Sequence, residues 1–162
     1  MKKTGFGWCV AAAALGSCLA FGACGAVTTP QGEIALVDPS AAEPLPVILP
    51  DDPSPSQRYA AEEYAAYMGR VSGRTVRVLP PGYAAHGVRL VTADRAEGLG
   101  DDGFRLRATD GGLEIRGSRV RGCLYGVYEV LERFGGCRWY ASWCERVPRR
   151  SRVAVPGYLD AV

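Results

Sequence analysis

The 162 residues include 48% hydrophobic and 22% charged side chains, ordinary values for a globular chain and unlike those of a disordered one. The formal net charge is +2, which Lys2 and Lys3 alone account for, so the rest lacks the basic excess that a nucleic-acid partner requires. Three of the six cysteines fall before residue 27, so the composition excludes a three-disulfide scaffold.

Residues 1–26 read as an export signal: a short positive start, "MKK", then the charge-free apolar run "GFGWCVAAAALGSCLAFGAC". Its glycines, alanines and cysteines make a poor permanent membrane anchor. "LGSC" ending at Cys18 and "FGAC" ending at Cys24 each resemble a bacterial lipobox, which makes both cysteines lipidation candidates. Cleavage after Ala26 and simple packing of the thiols within the signal are the alternatives. The location that follows is outside the cytoplasm, in the periplasm or on the bacterial cell surface as a lipoprotein.

Residues 27–45, "VTTPQGEIALVDPSAAEPL", read as a linker with one apolar patch at Ile34 to Val37. "PVILP" then gives a first strand centred on Val47, Ile48 and Leu49. In the next segment Ser54 is an N-cap, Pro55 fits the first helical position and Gln57 completes a capping box. Ala61, Tyr64, Ala65 and Met68 form the buried stripe of this helix, and Gly73 ends it. "TVRVL" is a strand with Val76 and Val78 on one face, and "VRLVTA" is another. "FRLRAT" and "LEIRG", joined by a glycine turn, alternate as a β-hairpin with one face in water. Val120, Leu124, Val127, Tyr128, Leu131 and Phe134 make the apolar stripe of a second helix. Gly122 and Gly126 let it approach a sheet, and Gly135 or Gly136 stops it. A short strand around Val153 to Val155 closes a domain over residues 46–156, and 157–162 form a tail. The fold class is α/β (α+β): a small mixed sheet with two main helices on one face.

"SPSQRYAAEEYAAYM", "GFRLRA", "GLEIRG" and "RGCLYGVYEVLERFGGCRWY", followed by "E-x-VP" at Glu145 to Pro148, carry a resemblance. They are similar to the N-terminal accessory domain of bacterial α-glucuronidases and β-N-acetylhexosaminidase-like glycoside hydrolases. The resemblance implies a small sheet covered by helices and packed beside a catalytic (β/α)8 barrel, which holds the carboxylates and sugar subsites. It implies no catalytic residue here, since Val162 falls where such a barrel would begin. The expected partners are that barrel, a polysaccharide, and a membrane through a lipid anchor. No cofactor is implied.

Glycosidases work with two carboxylates roughly 5 to 10 Å apart. Glu62 with Glu63, Asp51 with Asp52, Asp101 with Asp102 and Glu129 with Glu132 each read more simply as solvated helix or turn residues. His86 stands alone in a loop, and Cys123 lacks a neighbour that would activate it. Cys137 and Cys144 are the disulfide candidates, and their spacing without histidine does not fit a metal site. The arginines of "RVPRRSR" read as a solvated tail or docking surface ahead of an anion site. Arg138, Trp139, Tyr140 and Trp143 remain, either as a sugar-stacking platform or as the plug of a domain junction. The resemblance favours the junction. A free-standing carbohydrate-binding module and a surface lipoprotein that docks on a partner are the rival readings.

Overall fold

The computed structural model describes residues 32–162. Residues 1–26, with Cys18 and Cys24, lie outside that range. In chain order the described residues form β1 (Glu33–Val37), β2 (Val47–Ile48), α1 (Pro55–Ser72), β3 (Val78–Leu79), β4 (Gly87–Thr92), β5 (Phe104–Thr109) and β6 (Gly112–Gly117). Then follow α2 (Gly122–Val130), β7 (Arg138–Ala141), β8 (Cys144–Arg146), β9 (Val153–Pro156) and β10 (Asp160–Ala161). Six strands make one mixed sheet in the order β10-β5-β6-β4-β2-β3, in which β3, β2, β4 and β6 run parallel, β5 lies antiparallel to β6, and β10 lies antiparallel to β5. Both helices cover one face, as the sequence predicts.

Helix α1 starts where local chemistry dictates. The Ser54 hydroxyl accepts from the Gln57 N–H, and the Gln57 Oε1 accepts from the Ser54 N–H at 2.9 Å. Gly73 ends the helix in the left-handed region with φ 72°. Ala61, Tyr64 and Met68 are fully buried and share one hydrophobic core with Val88, Leu90, Leu106 and Ile115 of the sheet. Helix α2 lies on the hairpin of β5 and β6. A Cβ on Gly126 would stand 2.5 Å from the Ile115 Cγ2, so only glycine permits this approach. The last turn of α2 widens to a π-type turn over Leu131–Gly135, and Gly136 stops it with φ 79°.

Four expectations are corrected. Residues 33–37 are not part of a tether but strand β1, which pairs antiparallel with β9, and Leu36 and Val37 are buried in the core. The segment 157–162 is not a free tail, because β10 adds an edge strand to β5. Val120 is exposed before the start of α2; Val127 and Leu131 of the expected stripe are buried, Leu124, Tyr128 and Phe134 pack against the core, and Cys123, Gly126 and Val130 join the buried side. Val76 is buried but Val78 is exposed on the edge strand, so the two do not share a core face.

Candidate functional site

Two places on the molecule collect side chains with chemical character. The first is the hairpin of β7 and β8. Its register sets Trp139 opposite Glu145 and Ala141 opposite Cys144, with an irregularity at Tyr140. The Trp139 indole fits between two tyrosines, edge to face with Tyr67 of α1 at 5.1 Å and with Tyr128 of α2 at 5.0 Å. The Tyr67 hydroxyl donates to the Glu145 carboxylate at 2.7 Å, and Arg70 pairs with the same carboxylate at 2.6 Å. The Tyr128 hydroxyl donates to Glu63 at 2.7 Å. This bonding has electrostatic consequences. Tyr67 and Arg70 hold the Glu145 carboxyl below its ordinary range, while burial and then Glu63 push the Tyr128 hydroxyl well above its own.

The hairpin is therefore fixed at its base and bare at its tip. Trp143 is 88% exposed and Tyr140 66% exposed. Of the four candidates, only these two face solvent as aromatic surface. Trp139 is half-buried in the tyrosine pair, and the Arg138 guanidinium donates to the carbonyl oxygens of Glu132 and Cys137. Sequence reasoning took Glu63 for a solvated helix residue and missed Tyr67 and Arg70, although the spacing of the three along α1 marks a second stripe beside the buried one.

The disulfide expectation is also corrected. Cys137 is buried, Cys144 is exposed, and both thiols are free. The register explains why. Cys144 stands beside the hairpin turn, whereas Cys137 precedes Arg138 at the opposite, open end. Cys123 is buried as well, with its sulfur 3.5 Å from both the Gln57 Nε2 and the Val91 carbonyl oxygen. Burial pushes its thiol up, the opposite of what a nucleophile needs.

The second place is a crevice of about 540 Å³ at the carboxyl ends of β2 and β4. The chain leaves β2 through α1 toward the outer strand β3, but leaves neighbouring β4 in the other direction, toward β5. Adjacent strands whose exits diverge leave a gap outside their carboxyl ends. Ile48, Leu49 and Val91 line it, Pro81 walls it, and Asp51, Asp52 and Arg119 stand around its mouth. Arg119 donates to the Asp52 backbone carbonyl at 2.8 Å and its side-chain carboxylate at 3.2 Å.

The remaining acidic pairs are tied into surface contacts. Asp102 pairs with Arg121, Glu129 with Arg133 and Glu132 with Arg138. His86 is exposed in its loop.

No family model matches the chain, and no curated protein matches its sequence. Solved structures do match in fold. The chain is similar to the GH20 β-N-acetylhexosaminidase from Streptomyces coelicolor A3(2), with a TM-score of 0.55 and 19% identity over 83% of this chain and 24% of that one. It is also similar to a family GH115 4-O-methyl-α-glucuronidase with specificity for decorated arabinogalactans, with a TM-score of 0.54 and 16% identity over 79% of this chain and 18% of that one. The chain thus spans about a quarter or less of the length of either enzyme, and it has the fold of a domain-sized part of each.

Proposed function

We propose that this chain is a non-catalytic accessory domain of an exported glycoside hydrolase, which docks on a catalytic barrel through the tip of its β7–β8 hairpin. The observation that carries the reading is the contrast within that hairpin. Trp139 is locked between Tyr67 and Tyr128, while Trp143, a few residues on, stands 88% exposed. A rigid base with a bare aromatic tip is what an interface anchor requires, since tryptophan and tyrosine dominate the energetic centres of protein interfaces. The shared fold with parts of two glycoside hydrolases supports a glycoside-hydrolase catalytic domain as the kind of partner.

The carboxylates support the absence of chemistry. A glycosidase acid needs a carboxyl with a raised pKa. The carboxyls here that depart from their ordinary values, Asp38, Glu97 and Glu145, all move down. The export signal and a lipid at Cys18 or Cys24 would place the domain outside the cytoplasm.

The test has two parts. The purified chain is incubated with aryl glycosides, and no release is expected; measurable hydrolysis overturns the non-catalytic role. The source DNA is then read beyond the Val162 codon; a stop with no catalytic-domain sequence behind it overturns the accessory role, and a catalytic domain encoded there is expressed separately. It is expected to bind the chain, and Trp143→Ala is expected to weaken that binding at least tenfold. Undiminished binding by Trp143→Ala overturns the docking surface. A second reading, a free-standing carbohydrate-binding module, rests on the same exposed Trp143 and Tyr140. It gains if the chain's tryptophan fluorescence responds to glycans and Trp143→Ala abolishes the response.

A further inference from the structure

The geometry points to a separate saccharide-binding site in the crevice at the carboxyl ends of β2 and β4, built for a neutral sugar unit with adjacent free hydroxyls. Topology gives the first reason. The diverging exits of β2 and β4 make this the switch point of the sheet, the place where open α/β sheets receive their ligands. At about 540 Å³ the crevice lies within the usual range for small-molecule sites.

The lining gives the second. A sugar ring has an apolar C–H face and a rim of hydroxyls. Here Leu49 and Val91 offer an apolar surface, and Asp51 and Asp52 stand at its edge. An ionised carboxylate accepts at about four lone-pair positions. Asp52 uses its Oδ2 toward Arg119, so the pair presents an acceptor and a donor side by side, as two neighbouring hydroxyls require.

The loop over the crevice gives the third. Gly82 and Ala84 line the cavity and, with Pro81, form one wall of it. This loop is held in place from below, because Arg89 donates to the carbonyl oxygens of Ala84 and Ala85 and to that of Gly111 at 3.2 Å. The lining also bears on the charge of the ligand. In formal charge Asp51 and Asp52 are balanced by Arg89 and Arg119, so the crevice offers no net charge to recruit an acidic sugar. A neutral sugar fits this balance.

This site does not depend on what the hairpin tip binds, so the two readings fail separately. The purified chain is titrated with neutral xylo-, galacto- and N-acetylglucosamine oligosaccharides and with uronic-acid oligosaccharides, while backbone amide resonances are followed. A neutral oligosaccharide is expected to shift amides of residues 48–52 and 82–92. Asp52→Ala is expected to weaken binding about tenfold or more, the loss typical of a charged hydrogen-bond partner. Asp51→Ala, at an exposed position that leaves the core untouched, is expected to weaken it severalfold, and Trp143→Ala to leave it unchanged. The proposal is overturned if shifts are confined to residues 139–143, if binding depends on Trp143 and not on Asp51 or Asp52, if uronic acids bind better, or if no oligosaccharide binds at millimolar concentration.

Discussion

Tyr67 and Glu145 stand 78 residues apart in the chain and meet at 2.7 Å, hydroxyl to carboxylate, where the β7–β8 hairpin leans on helix α1. With Arg70 on the same carboxylate, this contact fixes the orientation of the hairpin base and hence the direction in which Trp143 points. A surface anchor of this kind contributes geometry more than stability, because exposed ion pairs are worth little in water.

The contact predicts a pH response. The Glu145 carboxyl is held below its ordinary value of 4.5, chiefly by the Tyr67 hydroxyl and then by Arg70. A lowered folded value means the anchorage is complete above pH 4.5 and is lost as pH falls through the lower folded value. The Trp139 indole N–H resonance should therefore shift only in that acid window. In Glu145→Gln the same resonance should stay flat there. Identical titrations of the two proteins would show that Glu145 does not hold the hairpin.

Tyr64 offers a stability test in the unusual direction. Its ring is fully buried and its hydroxyl has no hydrogen-bond partner among the described residues. An unpaired buried hydroxyl costs about 1–3 kcal/mol, and phenylalanine keeps the ring while removing it. Tyr64→Phe should raise the urea midpoint by an equivalent of about 1 kcal/mol with an unchanged slope. A lower midpoint would mean that the hydroxyl is satisfied by a buried water.

Gly126 tests the approach of α2 to the sheet. On helix propensity alone, alanine should gain about 1 kcal/mol at this position. The Cβ, however, would lie 2.5 Å from the Ile115 Cγ2 and 3.3 Å from the Phe104 Cγ. Overpacking of that kind costs about 1–3 kcal/mol, so steric crowding should win and Gly126→Ala should be destabilising. Combining it with Ile115→Val should recover part of the loss. Failure to recover would place the clash elsewhere.

The parts of this fold that sequence reveals are those with local causes. Helix α1 was legible because Ser54, Pro55, Gln57 and Gly73 each act on backbone groups within a few residues. The β5–β6 hairpin was legible because its alternation and its turn lie in one short stretch. Strand β1 was not. Its partner β9 lies at the other end of the chain, and five residues ringed by prolines and polar side chains look like a tether until that partner is known. The cysteine pairing failed for a related reason, since only the register of β7 on β8 shows that Cys137 and Cys144 sit at opposite ends of the hairpin. Among site residues, the aromatic stretch after α2 was visible as composition, but the tyrosines that hold Trp139 come from both helices. The crevice was invisible altogether, because it follows from β2 and β4 being neighbours, a fact of strand order rather than of any one segment.

The arginines of residues 146–152 supply the last prediction. Gly73 and Gly136, both left-handed, close the two helices, and an arginine lies over each. The Arg149 guanidinium covers Gly73, and the Arg150 Nη2 lies 2.7 Å from where a Cβ on Gly136 would stand. The Arg150 backbone N–H also donates to the Val71 carbonyl oxygen at 2.9 Å, which brings the segment under both helix ends. Helix carboxyl ends carry partial negative charge, and a cation there stabilises by about 0.3–1 kcal/mol at low salt. The double variant Arg149→Ala, Arg150→Ala should therefore lose roughly the sum of two such contributions. The deficit should shrink at high salt, because the screening length falls to about 3 Å at 1 M. Arg58, in the first turn of α1, sits at the opposite pole, so Arg58→Ala should be neutral or slightly stabilising. If Arg58→Ala costs as much as the double variant, or the deficit ignores salt, the arginines act by packing their stems over the glycines and not by their charge.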